Sequence, residues 1–324
     1  LTYRSASREL RLDWSGYENM IGQIRLRSGD SMADISAMGA EVRQWKIASH
    51  SLLWHPDAAI WPETAPILFP IVGWTRNGQI RVGDKTYPLG LHGFARSRRF
   101  KIAKLTADRV SLVLDSDRAT RTLYPFDFRL YVDYTLGEGA LTIELVVVNR
   151  GSGPMPFACG LHPGFRWPLS GADRNGHRII FDSEESPAVP EITSHGLFTE
   201  KLRAVPLSGK RLNLTPSLFA REALCFLRAK SRSLRYEASD GARLQMDMEG
   251  FSHIALWSKP DAAFLAIEVW TGHGDPDGFE GDLFAKPSMR ILPPGARASH
   301  KACFTFNTLP RMTAGTAFSN PGLM

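Results

Sequence analysis

Cysteine is scarce. The 324-residue chain has three, Cys159, Cys225 and Cys303, an odd number at wide spacing. That excludes a self-contained disulfide framework and predicts buried, reduced thiols in a reducing compartment. Long apolar runs are missing as well: no stretch is long enough to cross a bilayer, and the opening LTYRSASRELRLDWSGYENM is charged throughout, without the apolar core of a signal peptide. Together these absences predict a cytoplasmic address and no membrane partner. GxSxG, HExxH, paired CxxC, the Walker glycine loop and GxGxxG are also absent. Serine hydrolysis, structural zinc and nucleotide phosphoryl transfer therefore have no support in the sequence. No internal repeat of propeller or solenoid type occurs. The acidic stretch HGDPDGFEGD (273–282) does not match the glycine and acid positions of an EF-hand, so it reads as a solvated loop rather than a calcium site.

What basic excess there is, a formal charge of +6, is spread out. Its densest runs, Arg96, Arg98 and Arg99, then Arg228, Lys230, Arg232 and Arg235, are interleaved with serine or apolar residues as on a solvated strand face. No helix-turn-helix, zinc-finger or RNA-binding signature accompanies them, and no nucleic-acid partner is expected.

Alternation dominates the remainder. Val110, Leu112 and Leu114 alternate with Ser111, Val113 and Asp115; Phe128, Leu130, Val132, Tyr134 and Leu136 alternate with Arg129, Tyr131, Asp133 and Thr135. After a glycine-containing turn, Leu141, Ile143, Leu145 and Val147 continue the pattern. Each segment predicts a strand with one buried face. A hairpin is predicted at Gly83-Asp84, and further strands around Leu244 to Met248, His253 to Trp257 and Phe264 to Trp270. Amphipathic helices are few, and the best candidate, 216–227, is short. The expected organisation is a polar arm over 1–22, one all-β domain over 23–308 and a tail over 309–324 rich in Gly, Pro, Ser, Thr and Asn.

Two segments carry candidate chemistry. In FLAIEVW (264–270) a single carboxylate, Glu268, interrupts an apolar strand, where leaving it unpaired is costly. Period two puts it on one face with Phe264, Ala266 and Trp270. An acid beside an aromatic suits a sugar, which offers C–H faces for stacking and hydroxyls for hydrogen bonds; a structural ion pair with an arginine is the alternative. In GLHPGFRWP (160–168), Pro163 holds His162 extended. An imidazole fixed at a strand end can donate a proton near neutrality, or can serve as an ordinary hydrogen-bonded turn residue. His92 in GLHGFAR (90–96) has similar surroundings, with Arg96 close behind it.

These segments resemble the aldose 1-epimerase (mutarotase) family, and more closely its bacterial branch that includes the LacX-type proteins. The likeness runs through ISAMGAEVRQWK (35–46), APILFPIVG (65–73), LHGFAR (91–96), YPFDFRLYVDYTL (124–136) and MPFACGLHPGF (155–165). It continues in HIALWSKP (253–260), FLAIEVWTG (264–272) and ILPPG (291–295). The resemblance implies a galactose mutarotase-like β-supersandwich of large twisted antiparallel sheets with few short helices, holding a monosaccharide in an open cleft without metal or organic cofactor. It implies that Glu268 takes the proton of the anomeric hydroxyl, that His162 protonates the ring oxygen from the other side of the sugar, and that His92 binds near that oxygen. Trp270 is then a candidate stacking platform, and Arg96 and Asp275 candidate hydroxyl ligands. Two positions depart from the family: Trp74 stands where galactose mutarotases carry arginine, which puts galactose itself in question, and Val269 replaces the proline that follows the glutamate in LacX-like relatives. Three readings follow: a free-hexose mutarotase, a hexose-6-phosphate 1-epimerase with the Arg96, Arg98 and Arg99 cluster as phosphate clamp, and a non-catalytic sugar sensor.

Overall fold

The computed structural model describes residues 22–307; the arm and tail read at the two ends lie, Gly22 apart, outside the described residues. Within them the alternating segments form a nine-stranded antiparallel sheet. In it Phe128–Gly137 pairs residue for residue with Ala140–Asn149 and on its other side with Arg109–Asp115. The inward set of the first strand, Phe128, Leu130, Val132, Tyr134 and Leu136, is buried as its period requires. The strand Arg297–Asn307 lies between Ala140–Asn149 and Arg243–Glu249. The hairpin at Gly83-Asp84 joins Gln79–Val82 to Lys85–Pro88.

A second, six-stranded sheet carries Phe264–Trp270 at its centre. His253–Trp257 pairs with one edge of that strand, and Gly160–Leu161 and Gly164–Arg166 with the other. All seven residues of Phe264–Trp270 are buried, because one face meets the main core while the other floors a cleft. A further four-stranded sheet begins with Gln23–Ser28. One continuous apolar core runs from Ile24 to Phe306 through all of these layers. The fold is an all-β arrangement of large antiparallel sheets.

The helix expected over 216–227 is not formed. Only Pro216–Phe219 winds, as one 3-10 turn, and Leu224–Phe226 is a strand at the edge of the six-stranded sheet. Leu224, Cys225 and Phe226 are all buried, so pairing to Ile254, Ala255 and Leu256 outweighs local helix preference. No helix among the described residues is long and apolar enough to cross a membrane.

Candidate active site

Residues that face one another across antiparallel strands project from the same side of the sheet. Cys225 opposes Ala255, Ala255 opposes Glu268, and Gly164 and Trp257 flank Ala266. This side of the six-stranded sheet is therefore floored by Ala, Gly and Cys, with Trp257 and Trp270 standing at its edges. The glycines are required. A Cβ on Gly160 would lie 2.7 Å from Cδ1 of Trp270, and one on Gly164 2.5 Å from Cζ3 of Trp61. Both indoles thus lie directly on glycine backbone. Small residues below and indoles beside them make a cleft of about 880 Å³, lined by both histidines of the sequence reading and by Glu268.

Glu268 and His162 meet at the bottom of this cleft, with Oε1 of the carboxyl 3.2 Å from Nε2 of the imidazole. Among the described residues no arginine pairs with Glu268; its second oxygen accepts a hydrogen bond from the Trp270 indole N–H at 3.0 Å. Burial pushes the Glu268 carboxyl well above its usual range, partly opposed by the Trp270 hydrogen bond. Burial likewise pushes the His162 imidazole down to about 3, with the positive charge of Arg96 adding to the effect. Both shifts favour the uncharged forms. The ring of His162 is enclosed by Trp61, Trp257 and His92, at centroid distances of 5.1, 5.7 and 5.6 Å.

The acid and base candidates, expected on either side of a sugar, are neighbours in the cleft. Pro163 accepts the Ile267 N–H between the short pairings of Gly160–Leu161 and Gly164–Arg166, and so interrupts the strand where His162 turns towards Glu268. The anomeric oxygen and the ring oxygen of an aldose are both bonded to C1. Two proton-transfer groups side by side can therefore reach both from one direction.

His92 adopts a left-handed backbone conformation, φ 61°, next to Gly93. Its Nδ1 accepts the Gly73 N–H at 3.1 Å, which places the ring proton on Nε2. Its proton affinity is lowered well below the ordinary histidine range by burial, then by His162 and Arg96. His92 is thus a neutral hydrogen-bond donor on the cleft wall rather than a cation.

The remaining site candidates separate. Arg96 lines the cleft, but its Nη1 lies 3.0 Å from both oxygens of Glu63. Arg98 packs over the Phe94 ring and Arg99 bridges to Met38 on a solvated edge, so the three arginines do not converge into a clamp. Trp270 is 5% exposed with its N–H committed to Glu268, and the more open indole is Trp74 at 43%. Asp275 is buried, accepts the Arg76 N–H at 2.8 Å and pairs with the buried Lys286 at 2.8 Å. It braces the loop after the strand and is not part of the cleft lining. Of the other acids of the 273–282 loop, Glu280 pairs with Arg76 and Asp282 accepts from the backbone of Phe284 and Gly83, while Asp277 lines the cleft. Among the described residues no three His, Cys, Asp or Glu side chains are grouped to hold a metal.

Sequence reasoning missed Trp61, Glu63, Trp257, Glu222 and His195, all of which line the cleft. The position of Trp61 and Glu63 depends on Glu41, whose buried carboxylate accepts the N–H groups of Thr64 and Ala65 at 2.6 and 2.8 Å. No local pattern announces that link over more than twenty residues; a tryptophan pair in LWHPDAAIWP was the available signal.

The sequence model of the aldose 1-epimerase family matches residues 22–273, and the chain belongs to that family. It is 32% identical to the chromosomal protein LacX of Lactococcus lactis subsp. lactis over 231 residues, 68% of this chain and 77% of LacX. Its fold superposes on a galactose mutarotase related enzyme from Lactobacillus acidophilus with a TM-score of 0.81 at 27% identity, covering 88% of this chain and 97% of that one. A galactose mutarotase-like protein from Lactobacillus casei gives 0.82 at 26% identity, covering 88% and 100%.

Proposed function

We propose that the chain is an aldose 1-epimerase that interconverts the anomers of a neutral hexose through the Glu268–His162 pair. The observation that carries this reading is the buried 3.2 Å contact between a carboxyl oxygen and Nε2 on the floor of an open cleft. With one proton between them, the two groups form either a carboxylic acid beside a neutral imidazole or a carboxylate beside an imidazolium. In the second state Glu268 takes the proton from the anomeric hydroxyl while His162 gives one to the ring oxygen. The C1–O bond of the ring breaks with its electron pair going to the ring oxygen, and a C1 carbonyl forms. The pair is left in its first state. Rotation about C1–C2 and the reverse transfers close the other anomer, restoring the pair. His92 Nε2–H is available to the ring oxygen or a neighbouring hydroxyl.

Electrostatics favour an uncharged sugar. Both arginines of the cleft lining are paired, Arg96 with Glu63 and Arg76 with Glu280, while Glu222 and Asp277 add carboxylates to the lining. A phosphate would meet no unpaired arginine there. Anomer-resolved NMR exchange spectroscopy is expected to show catalysis with glucose or another free hexose and a lower kcat/KM with glucose 6-phosphate. Faster exchange of the phosphate ester would overturn the neutral-sugar assignment, and binding of hexoses without any exchange would overturn catalysis.

The pH dependence follows from the same pair. Activity requires one shared proton. It is lost at low pH when His162 takes a second, which burial delays downward, and at high pH when Glu268 gives up the only one, which burial delays upward. The kcat/KM plateau should therefore extend on both sides of the interval from 4.5 to 6.5 that unperturbed Glu and His would bracket. An alkaline limb at or below 6.5, measured across a pH series of polarimetric rates, would contradict it.

A further inference from the structure

We infer that Trp270 is a positioning residue: its indole N–H holds one oxygen of Glu268 so that the other is presented to His162 and to the substrate. The inference rests on the proposed role of Glu268 as the proton acceptor.

Three observations converge on it. The indole Nε1 lies 3.0 Å from Oε2, while Oε1 is the oxygen 3.2 Å from His162. The two carboxyl oxygens therefore have separate partners. Glu268 and Trp270 are two residues apart on one strand and share its cleft face, a spacing that lets the donor reach the acid without distorting the backbone. The indole reaches that position only because its cross-strand partner is Gly160, where any Cβ would fall 2.7 Å from Cδ1 and 2.9 Å from the Val269 carbonyl oxygen. Gly160 and Trp270 thus act as a unit, an empty position on one strand and the ring that fills it from the next.

A buried carboxyl with one charge-assisted donor is easier to ionise than one without it. The groups that face Glu268 are few. His162 approaches from the 160–164 segment, with His92 and Arg96 behind it; Cys225 stands beyond Ala255 on the edge strand, and His253 lies opposite Trp270. None of these supplies a second donor to Oε2, so beside His162 the indole N–H is the protein group that favours the carboxylate. A ring that only filled space would leave the proton affinity of Glu268 unchanged when its N–H is removed.

Trp270→Phe keeps an aromatic ring and removes the donor. It is expected to lower kcat more than it changes KM, by about tenfold, and to raise the Glu268 proton affinity by about one pH unit, the equivalent of one charge-assisted hydrogen bond. The second quantity is read from the carboxyl 13C resonance of Glu268 across a pH titration, which needs no turnover. Gly160→Ala, which displaces the indole while leaving Trp270 in the chain, should move that resonance in the same direction. If wild-type protein exchanges no anomers, the catalytic reading fails while the titration still tests the hydrogen bond. A folded Trp270→Phe variant whose Glu268 titration matches wild type, or whose kcat is within about twofold of it, would overturn the inference.

Discussion

Glu268→Gln is expected to reduce anomer exchange by roughly 10²- to 10⁴-fold, the usual contribution of a positioned proton-transfer group, and His162→Asn by a similar factor. Glutamine keeps the shape of the side chain and can still accept from Trp270, but it cannot take a proton from a hydroxyl. Stability should move the other way. Above about 4.5 the unfolded chain ionises Glu268 freely, whereas the fold raises its proton affinity through burial. The native state then binds the extra proton, and linkage makes wild-type stability fall as pH rises through the window between the unfolded and folded values. The neutral amide of the variant carries no such cost. Thermal unfolding at pH 8 should show the variant at least as stable as wild type, the pattern of an active-site group kept for chemistry rather than folding. A variant that unfolds more readily and retains its exchange rate would remove Glu268 from the mechanism.

Gly93→Val should damage fold and site together. Gly93 has φ +70°, and a Cβ there would collide with the Phe69 carbonyl, meeting its carbon at 2.6 Å. That carbonyl accepts the N–H groups of Phe94 and Ala95, while Phe69 donates to the carbonyl of His92. A clash with backbone cannot be relieved by a rotamer change. Combined with the left-handed conformation, it should cost about 3 kcal/mol or more of stability. The strain falls on His92, the adjacent residue, whose own φ is positive. Denaturant unfolding should show the loss, and any folded fraction should exchange sugars more slowly because the His92–Gly73 contact moves. Wild-type stability in this variant would mean that the turn tolerates a different path.

Much of this architecture can be read directly from residue order. Where a strand has one wet face, as in Phe128–Gly137, side-chain alternation fixes both its existence and its buried set. The same rule found Glu268, because one acid in seven otherwise apolar residues violates the pattern. It failed at 216–227, where three consecutive buried residues form a strand covered on both faces and carry no period to separate them from a helix. The cleft walls were less legible. Trp61, Glu63 and Trp257 reach His162 and Arg96 from separate segments, through contacts that depend on sheet register rather than neighbouring sequence. The adjacency of His162 and Glu268 had the same origin, since it follows from how Gly160–Leu161 pairs with Val269 and Trp270.

The strand Arg297–Asn307 sits inside the nine-stranded sheet, with Ala140–Asn149 on one side and Arg243–Glu249 on the other. During synthesis the chain emerges from its N-terminal end. The two halves of that sheet must therefore wait, each with an unpaired edge, until the last described strand has left the ribosome. Every cleft residue is already translated by then, yet the layer that supports it is still open. Completion of this sheet therefore comes late, and until then its two halves present open edges on which wrong pairing can occur.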